Sequence, residues 1–402
     1  MERPLVGVRI LDLTQNMCGP FCTQLLGDLG AEVLKIEPPG GDPIRREGTR
    51  HGKTSISYIS FNRGKKSVVL DLKKSEHREV FLRLLERADV LVEDLKPEET
   101  ETLRLDEAAL LERRADLIRL SISGYGKARH FRHLDDQDAI VQALSGFMSI
   151  TGENGGAYTK AGVPIADLFT GLYGAIGVLA GILYRDKTGQ SLHIETAKLS
   201  VMLTAMPDSM SKYLNTGEIT RPKGSRHQLV GLFQPVEAKD GLVICMAAQE
   251  HQFKALTQVL GLEGLEEDSR FNSMYKRCEN ADELEPIIFA KTRQMTMKEL
   301  TDKLLAQKIP AGPINTLDQL LEDEYIQFHR LITQVRDSAE GSFRVVGFPL
   351  RFETFQIPET SFASQPGEDT RPVLRDFLGM GEAEIELLTS PKEQEKQEGT
   401  AR

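Results

Sequence analysis

The stretch GVRILDLTQNMCGPFCTQLLGDLGAEVLKIE, residues 7–37, decides the fold class. Residues 8–13 alternate as a strand, the turn Gln15-Asn16-Met17-Cys18-Gly19-Pro20 feeds a short helix ending at Gly30, and residues 31–37 form a second strand. A strand, helix and strand this closely spaced make a βαβ unit, with a parallel pair and a right-handed crossover. The pattern recurs as a strand at 67–72, a helix at 76–87, a strand at 88–93, a helix at 106–115 and a strand at 116–122. The first third of the chain therefore reads as a doubly wound α/β domain.

With 402 residues the chain exceeds the usual size of one domain, so two are expected. A hydrophobic content of 40% supplies a sizeable core. The net charge of −10, without a block of Lys and Arg able to follow a phosphate backbone, argues against nucleic acid as a partner. The four cysteines form no CxxC and no cluster with His, so reduced thiols and a cytoplasmic location are expected. Gly19-Pro20 suggests that Cys18 sits just outside the helix that holds Cys22. The N-terminus enters a strand pattern at once rather than a signal peptide, and no apolar run reaches the ~20 residues of a membrane span, so no membrane partner is expected.

A second landmark is GVPIADLFTGLYGAIGVLAGILYRDKTG, residues 162–189, read as a core helix from about 167 with a carboxylate, Asp167, at its mouth and Gly189 at its end. Gly171, Gly174, Gly177 and Gly181 share one face at ~3.6 residues per turn. Each costs roughly 1 kcal/mol of helix propensity, so close backbone approach is expected there. Asp167 alone is open to two readings, an N-cap or a functional carboxylate. Residues 136–149 read as a further helix, 190–196 as a strand and 198 to about 215 as another helix. Beyond Arg221-Pro222-Lys223, strands at 230–237 and 242–248 flank a turn at Lys239-Asp240-Gly241, followed by helices near 250–261, 281–293 and 296–307. Residues 343–353 look strand-like and 370–388 helical.

Weaker signals carry less. Residues 47–54, EGTRHGKT, imitate a P-loop but lack its first glycine and the preceding strand. Ser123-Gly124-Tyr125-Gly126 follows a strand, where α/β sheets bind ligands, yet also reads as a plain turn. His130, His133, Asp135 and Asp136 stand beside Arg129 and Arg132, a poor home for a cation, and read as solvated charges; no metal site is expected.

Taken together, several blocks resemble the class III CoA-transferases, whose members include formyl-CoA and carnitine CoA-transferases. They are residues 7–46, GVRILDLTQNMCGPFCTQLLGDLGAEVLKIEPPGGDPIRR, then FNRGKKSVVLDLK, ADVLVEDLKPE, SISGYG, DAIVQALSGFMSITG and IADLFTGLYGAIGVLAGILYRDKTG, in the family's order. IPAGPINTLDQLLEDEYIQFHRLI, at 309–332, is similar to the family's second half.

The resemblance implies two chains interlocked as rings in a homodimer. Each would have a large Rossmann-like α/β domain built from both chain ends and a smaller α/β domain. In this sequence that gives a large domain at 1–200, a linker at 201–228, a small domain at 229–325, a return segment completing the large domain at 326–389, and a polar tail at 390–402. It places the catalytic aspartate on Asp167 and the reaction in the transfer of CoA from an acyl-CoA donor to a carboxylic acid acceptor, through an aspartyl-CoA thioester. CoA thioesters are substrates, and no permanently bound cofactor or metal is implied. For CoA contacts it points to Gln15, Asn16, Met17 and Cys18, to Pro38 and Arg45, to Lys65 and Lys66, to Asp94 and Leu95, and to Tyr125. Many members have His where Gln15 stands and Arg where Pro38 stands, and several have Asn where Asp94 stands. A glycine-rich loop of some formyl-CoA transferases has no counterpart near 233–241, which argues against oxalate. The alternatives are an α-methylacyl-CoA racemase-like enzyme, whose catalytic His position reads Gln137 here, and a non-catalytic CoA-binding protein. Arg226 and His227 read either as a solvated linker or as partners for a second carboxylate of a dicarboxylic substrate.

Overall fold

A computed structural model describes residues 2–127, 129–131, 133–227, 231–329, 331–337, 341–357 and 361–389. The polar tail expected at 390–402, and Arg132, lie outside the described residues. The chain divides into two compact units, the first drawn from Met1–Ser145, Gly162–Met210 and Arg330–Arg402, the second from Gly146–Ala161 and Ser211–His329.

The first unit is mixed α/β with a parallel central sheet. Its strands in chain order are β1 (Arg9–Asp12), β2 (Glu32–Glu37), the two-residue pair β3 (Arg50–His51) and β4 (Thr54–Ser55), β5 (Lys66–Val69), β6 (Val90–Glu93), β7 (Ile118–Ser123) and β8 (Leu192–Ala197). The six-stranded sheet runs β5-β2-β1-β6-β7-β8, every neighbouring pair parallel. Its central strands are apolar on both faces because both are covered. Leu11, Leu34, Val68 and Leu91 face Phe81 and Leu84 of the Ser75–Leu85 helix and Val373 and Leu374 of the Thr370–Leu378 helix. Ile10, Val33, Val92 and Leu120 face Cys22 and Leu26 of the Cys18–Asp28 helix and Ala175 and Val178 of the Ile165–Thr188 helix.

The C-terminal segment also closes an open sheet edge. Asp369 Oδ2 accepts from Ser67 N–H at 2.8 Å and Thr370 Oγ1 from Val69 N–H at 3.0 Å, satisfying edge donors that would otherwise invite another strand. The stretch 370–388, expected to contain a helical segment, holds two helices, Thr370–Leu378 and Glu382–Thr389, parted at Gly379, whose φ of +66° ends the first. The strand expected at 343–353 is shorter, β13 (Gly341–Val346), and pairs with an unforeseen β12 (Ile332–Asp337).

The glycine face behaves as its cost suggested. A Cβ on Gly171 would stand 2.6 Å from the Cys18 carbonyl oxygen, one on Gly174 3.0 Å from Leu120, and one on Gly181 2.9 Å from Ile118. The helix therefore lies directly on the sheet and on the first turn of the Cys18–Asp28 helix. That first turn includes Cys18, correcting the expectation that Gly19-Pro20 excludes it: Pro is tolerated in a first turn, where no intrahelical N–H is needed. At 24 residues the Ile165–Thr188 helix is long and apolar enough to cross a membrane by length and composition, but its buried face is packed within this unit. Pro207 likewise breaks the helix expected at 198–215 into Lys198–Thr204 and Pro207–Thr216.

The second unit holds an antiparallel sheet in the order β11-β10-β9, from β9 (Phe233–Ala238), β10 (Gly241–Met246) and β11 (Ala311–Pro313). Phe253, Leu256, Leu284, Ile288 and Leu300, from the helices Glu250–Leu260, Ala281–Thr292 and Met297–Ala306, build its core. β11 escapes sequence reading because Ala-Gly-Pro has the composition of a turn.

Replacing Gly171 by Leu should lower stability by about 1–3 kcal/mol or more, since a backbone oxygen cannot turn aside as a side chain would. A fall in the urea midpoint followed by circular dichroism checks this; an unchanged midpoint would show that the close approach is dispensable.

Candidate functional site

Open parallel sheets bind ligands beyond the carboxyl ends of their strands, at the point where strand order reverses. Here that point lies between β1 and β6, and the loops that follow them are tied together. Gln15 N–H donates to Asp94 Oδ2 at 3.0 Å, and Leu13 N–H to the Val92 carbonyl at 2.8 Å. Asn16 takes a left-handed φ of +62°, which Asn tolerates, and its N–H donates to Asp42 Oδ1 at 3.2 Å. Burial pushes the Asp94 carboxyl up to about 7. Leu95 N–H donates to Glu93 Oε2 at 2.9 Å.

Asp167 stands at the third position of the Ile165–Thr188 helix, after an N-cap residue, Pro164, that makes no side-chain capping bond. The N-cap reading of Asp167 is thereby corrected. A neighbouring carboxylate does the capping: Asp138 Oδ1 accepts from the N–H groups of Ala166 at 2.8 Å and Asp167 at 3.3 Å. The Asp167 side chain is free to face Lys198, whose Nζ lies 2.8 Å from Oδ1. This is a charge contact off the line of a good hydrogen bond, since no donor is aligned on that buried oxygen. Burial raises the Asp167 pKa; Lys198 opposes the rise, while Asp138 and Asp136 add to it. Lys198 is held firmly protonated: burial works against its charge, but Asp167 and Asp136 outweigh it.

Sequence reasoning did not single out Lys198. The signal that could have found it is its place immediately after the parallel strand β8, as first residue of the next helix. Its Nζ also donates to the Asp136 carbonyl at 2.9 Å, tying in the loop that leads into Asp138, the first residue of the Asp138–Leu144 helix. Tyr125 braces the same loop, its hydroxyl donating to the Asp135 carbonyl at 2.7 Å and its ring stacking on Phe131 at 5.4 Å. Gly124 is required beside it, because a Cβ there would fall 2.2 Å from the Asp136 Cβ. Cys18 is buried close enough to feel the charges of Lys198, Asp167 and Asp94, and burial pushes its thiol up.

The residues offered for CoA phosphates are placed differently from one another. Arg45 is buried and bidentate on Glu37, at 2.7 and 2.6 Å, with further donation to the Ser364 carbonyl at 2.9 Å and its guanidinium over the Tyr58 ring. Lys65 is buried among Asp12 at 3.0 Å, the Pro20 carbonyl at 2.9 Å and Asn62 Oδ1 at 3.0 Å, and burial lowers its pKa to about 8. A buried cation is tolerable only when paired in this way, so both charges are committed inside the unit. Lys66 is half-exposed, paired with Glu32 at 2.6 Å. Pro38 opens a surface turn closed by Gly41 N–H donating to its carbonyl at 2.9 Å, and Met17 packs beside Ile44 and Tyr58. Among the described residues no group of three or more His, Cys, Asp or Glu could hold a metal. Arg226, in the second unit, is ion-paired with Asp282 at 2.9 Å and Glu285 at 2.6 Å.

Comparison with known proteins adds identity to this geometry. The family model described as CoA-transferase family III matches residues 5–370. The succinyl-CoA:glutarate CoA-transferase of Mus musculus is 33% identical, over 96% of this chain and 89% of its own. The succinyl-CoA:mesaconate CoA-transferase of Haloarcula hispanica is 33% identical, over 93% of this chain and 96% of its own. A crystal structure of a CAIB/BAIF family protein from Brucella suis superimposes with a TM-score of 0.86 at 29% identity, covering 94% of this chain and all of that one. The chain belongs to CoA-transferase family III.

Proposed function

We propose that the chain moves CoA from an acyl-CoA donor to a free carboxylic acid through an aspartyl-CoA thioester on Asp167. The observation that carries this reading is the Asp167 carboxylate itself, buried, relieved of capping by Asp138 and set against the Lys198 ammonium. A carboxylate oxygen of Asp167 attacks the thioester carbonyl, the C–S bond breaks, and a mixed anhydride and CoA thiolate result. The thiolate attacks Cγ of Asp167 and expels the donor acid, leaving the aspartyl-CoA thioester. The acceptor carboxylate attacks the same carbon, thiolate leaves again, and its attack on the acceptor carbonyl gives the new acyl-CoA and restores Asp167. Charges balance without ATP, metal or net proton transfer. Lys198 offers a fixed positive charge to the oxygens on which negative charge gathers. Once Asp167 is esterified and neutral, the same ammonium can face the incoming acceptor carboxylate.

The turn residues Gln15, Asn16, Met17, Pro38, Asp94 and Leu95, with Lys66 at the surface, form the proposed CoA contact. Arg45, Lys65, Cys18 and Tyr125 support it from behind. The names of the relatives suggest succinyl-CoA as donor and a short dicarboxylic acid as acceptor. The order of the sheet, with its reversal between β1 and β6, supports a Rossmann-like large domain. An interlocked homodimer accords with the outward face of the Ile165–Thr188 helix, where Leu172, Tyr173, Ile176 and Leu183 are exposed. A cytoplasmic location accords with four free thiols.

Incubation with succinyl-CoA should add CoA to the peptide bearing Asp167, detected by mass spectrometry, and Asp167→Ala should lose both the adduct and at least about a thousandfold of turnover. A wild-type protein that exchanges CoA without any such adduct would sink the mechanism.

The pH dependence has a definite sign. Asp167 must be ionised to attack, so activity falls as pH drops through its raised folded-state pKa. Lys198→Gln removes the group that lowers that pKa, and the acid limb of the kcat/KM profile should move to higher pH. A limb that stays in place would deny Lys198 this role. Light scattering should give about 90 kDa, twice the 44.8 kDa of one chain; a monomer would refute the dimer.

A further inference from the structure

Glu93 closes β6 immediately before the turn of Asp94 and Leu95, and its carboxylate is fully buried and divided between two tasks. Oε1 accepts from Arg119 Nε at 3.2 Å, Arg119 Nη2 at 2.8 Å and the Ser121 hydroxyl. Oε2 accepts from Leu95 N–H at 2.9 Å. Were Glu93 only the counter-ion of Arg119, both oxygens would serve the guanidinium, as those of Glu37 serve Arg45. Instead one oxygen is spent on a backbone amide two residues on. Ser121 Oγ also contacts His193 Nε2 at 2.9 Å, and Asp94 Oδ2 takes the Gln15 N–H at 3.0 Å. A continuous row of polar contacts thus runs from β8 through β7 and β6 to the loop after β1.

We propose that Glu93 is a positioning residue that sets the conformation of the Asp94–Leu95 turn and, through it, the affinity of the chain for CoA. The inference rests on the assignment of that turn to CoA. Glu93 does not touch the substrate; it fixes which way the Leu95 amide and the Asp94 carboxylate point.

The isosteric substitution Glu93→Gln tests this sharply. Three donors from Arg119 and Ser121 hold the amide oxygen on their side, so the new NH2 faces the Leu95 N–H, donor against donor. An unsatisfied amide pair of this kind should weaken binding of free CoA about tenfold by titration calorimetry. Hydrogen exchange should show faster exchange at residues 94–95 while the body of β6 stays protected. Ser121→Ala, which removes one donor and leaves the ion pair, should weaken CoA binding by roughly two- to threefold and serves if Glu93→Gln does not fold. Leu95→Asp is the control on the turn itself. If Leu95→Asp weakens CoA binding but Glu93→Gln and Ser121→Ala leave it within twofold of wild type, the positioning role is overturned. Protection lost along all of β6 would also overturn it, reducing Glu93 to a structural ion. If Leu95→Asp leaves CoA binding unchanged, the assignment of the turn to CoA fails instead.

Discussion

The constraint on which the rest depends is the absence of side chains along one face of the Ile165–Thr188 helix. Because Gly171 meets the Cys18 carbonyl and Gly174 meets Leu120, the helix start is held against the first turn of the Cys18–Asp28 helix and beside β7. An ordinary helix, with its axis held off by side chains at the usual 8–10 Å, would carry Asp167 away from the carboxyl ends of the strands. The propensity sacrificed at four glycines therefore fixes the location of a carboxylate.

Around that contact lie charges of two kinds. Arg45 with Glu37, Lys65 with Asp12 and Lys35 with Asp42 are buried and heavily hydrogen-bonded, and they shape the loops after β1 and β2. Burial should raise the Asp12 pKa, but Lys65 and Lys35 hold it well below the usual carboxylate range. Asp167 and Lys198 differ: fewer bonds share the load, and the pKa of the acid is raised, where those of Asp12 and Glu37 are lowered. A carboxylate under-stabilised by its surroundings suits the role proposed for Asp167.

Much of this was legible in the chain. Alternation at 8–13 and 31–37 with a helix between them could only be a parallel unit, and four glycines on one helical face announced a close contact. Residue type was a poorer guide where burial decides function. Arg45 and Lys65 look like phosphate ligands in a sequence, since nothing local reveals that Glu37 and Asp12 face them across strands. Lys198 was invisible for the converse reason: its meaning comes from a residue 31 positions earlier, reached only when β8 docks beside β7. Asp138 was passed over because its oxygen serves another element's backbone rather than its own.

That last arrangement would insulate the scaffold from the chemistry proposed for Asp167. A helix capped by its own nucleophile would lose its anionic cap each time that carboxylate was covalently occupied, and would fray and re-form with every turnover. With Asp138 anchoring the Ala166 and Asp167 amides, the first turn keeps its partner whether the side chain beside it is a free anion or a neutral adduct. The hydrogen bonds that fix the start of the helix do not pass through the carboxylate proposed to react.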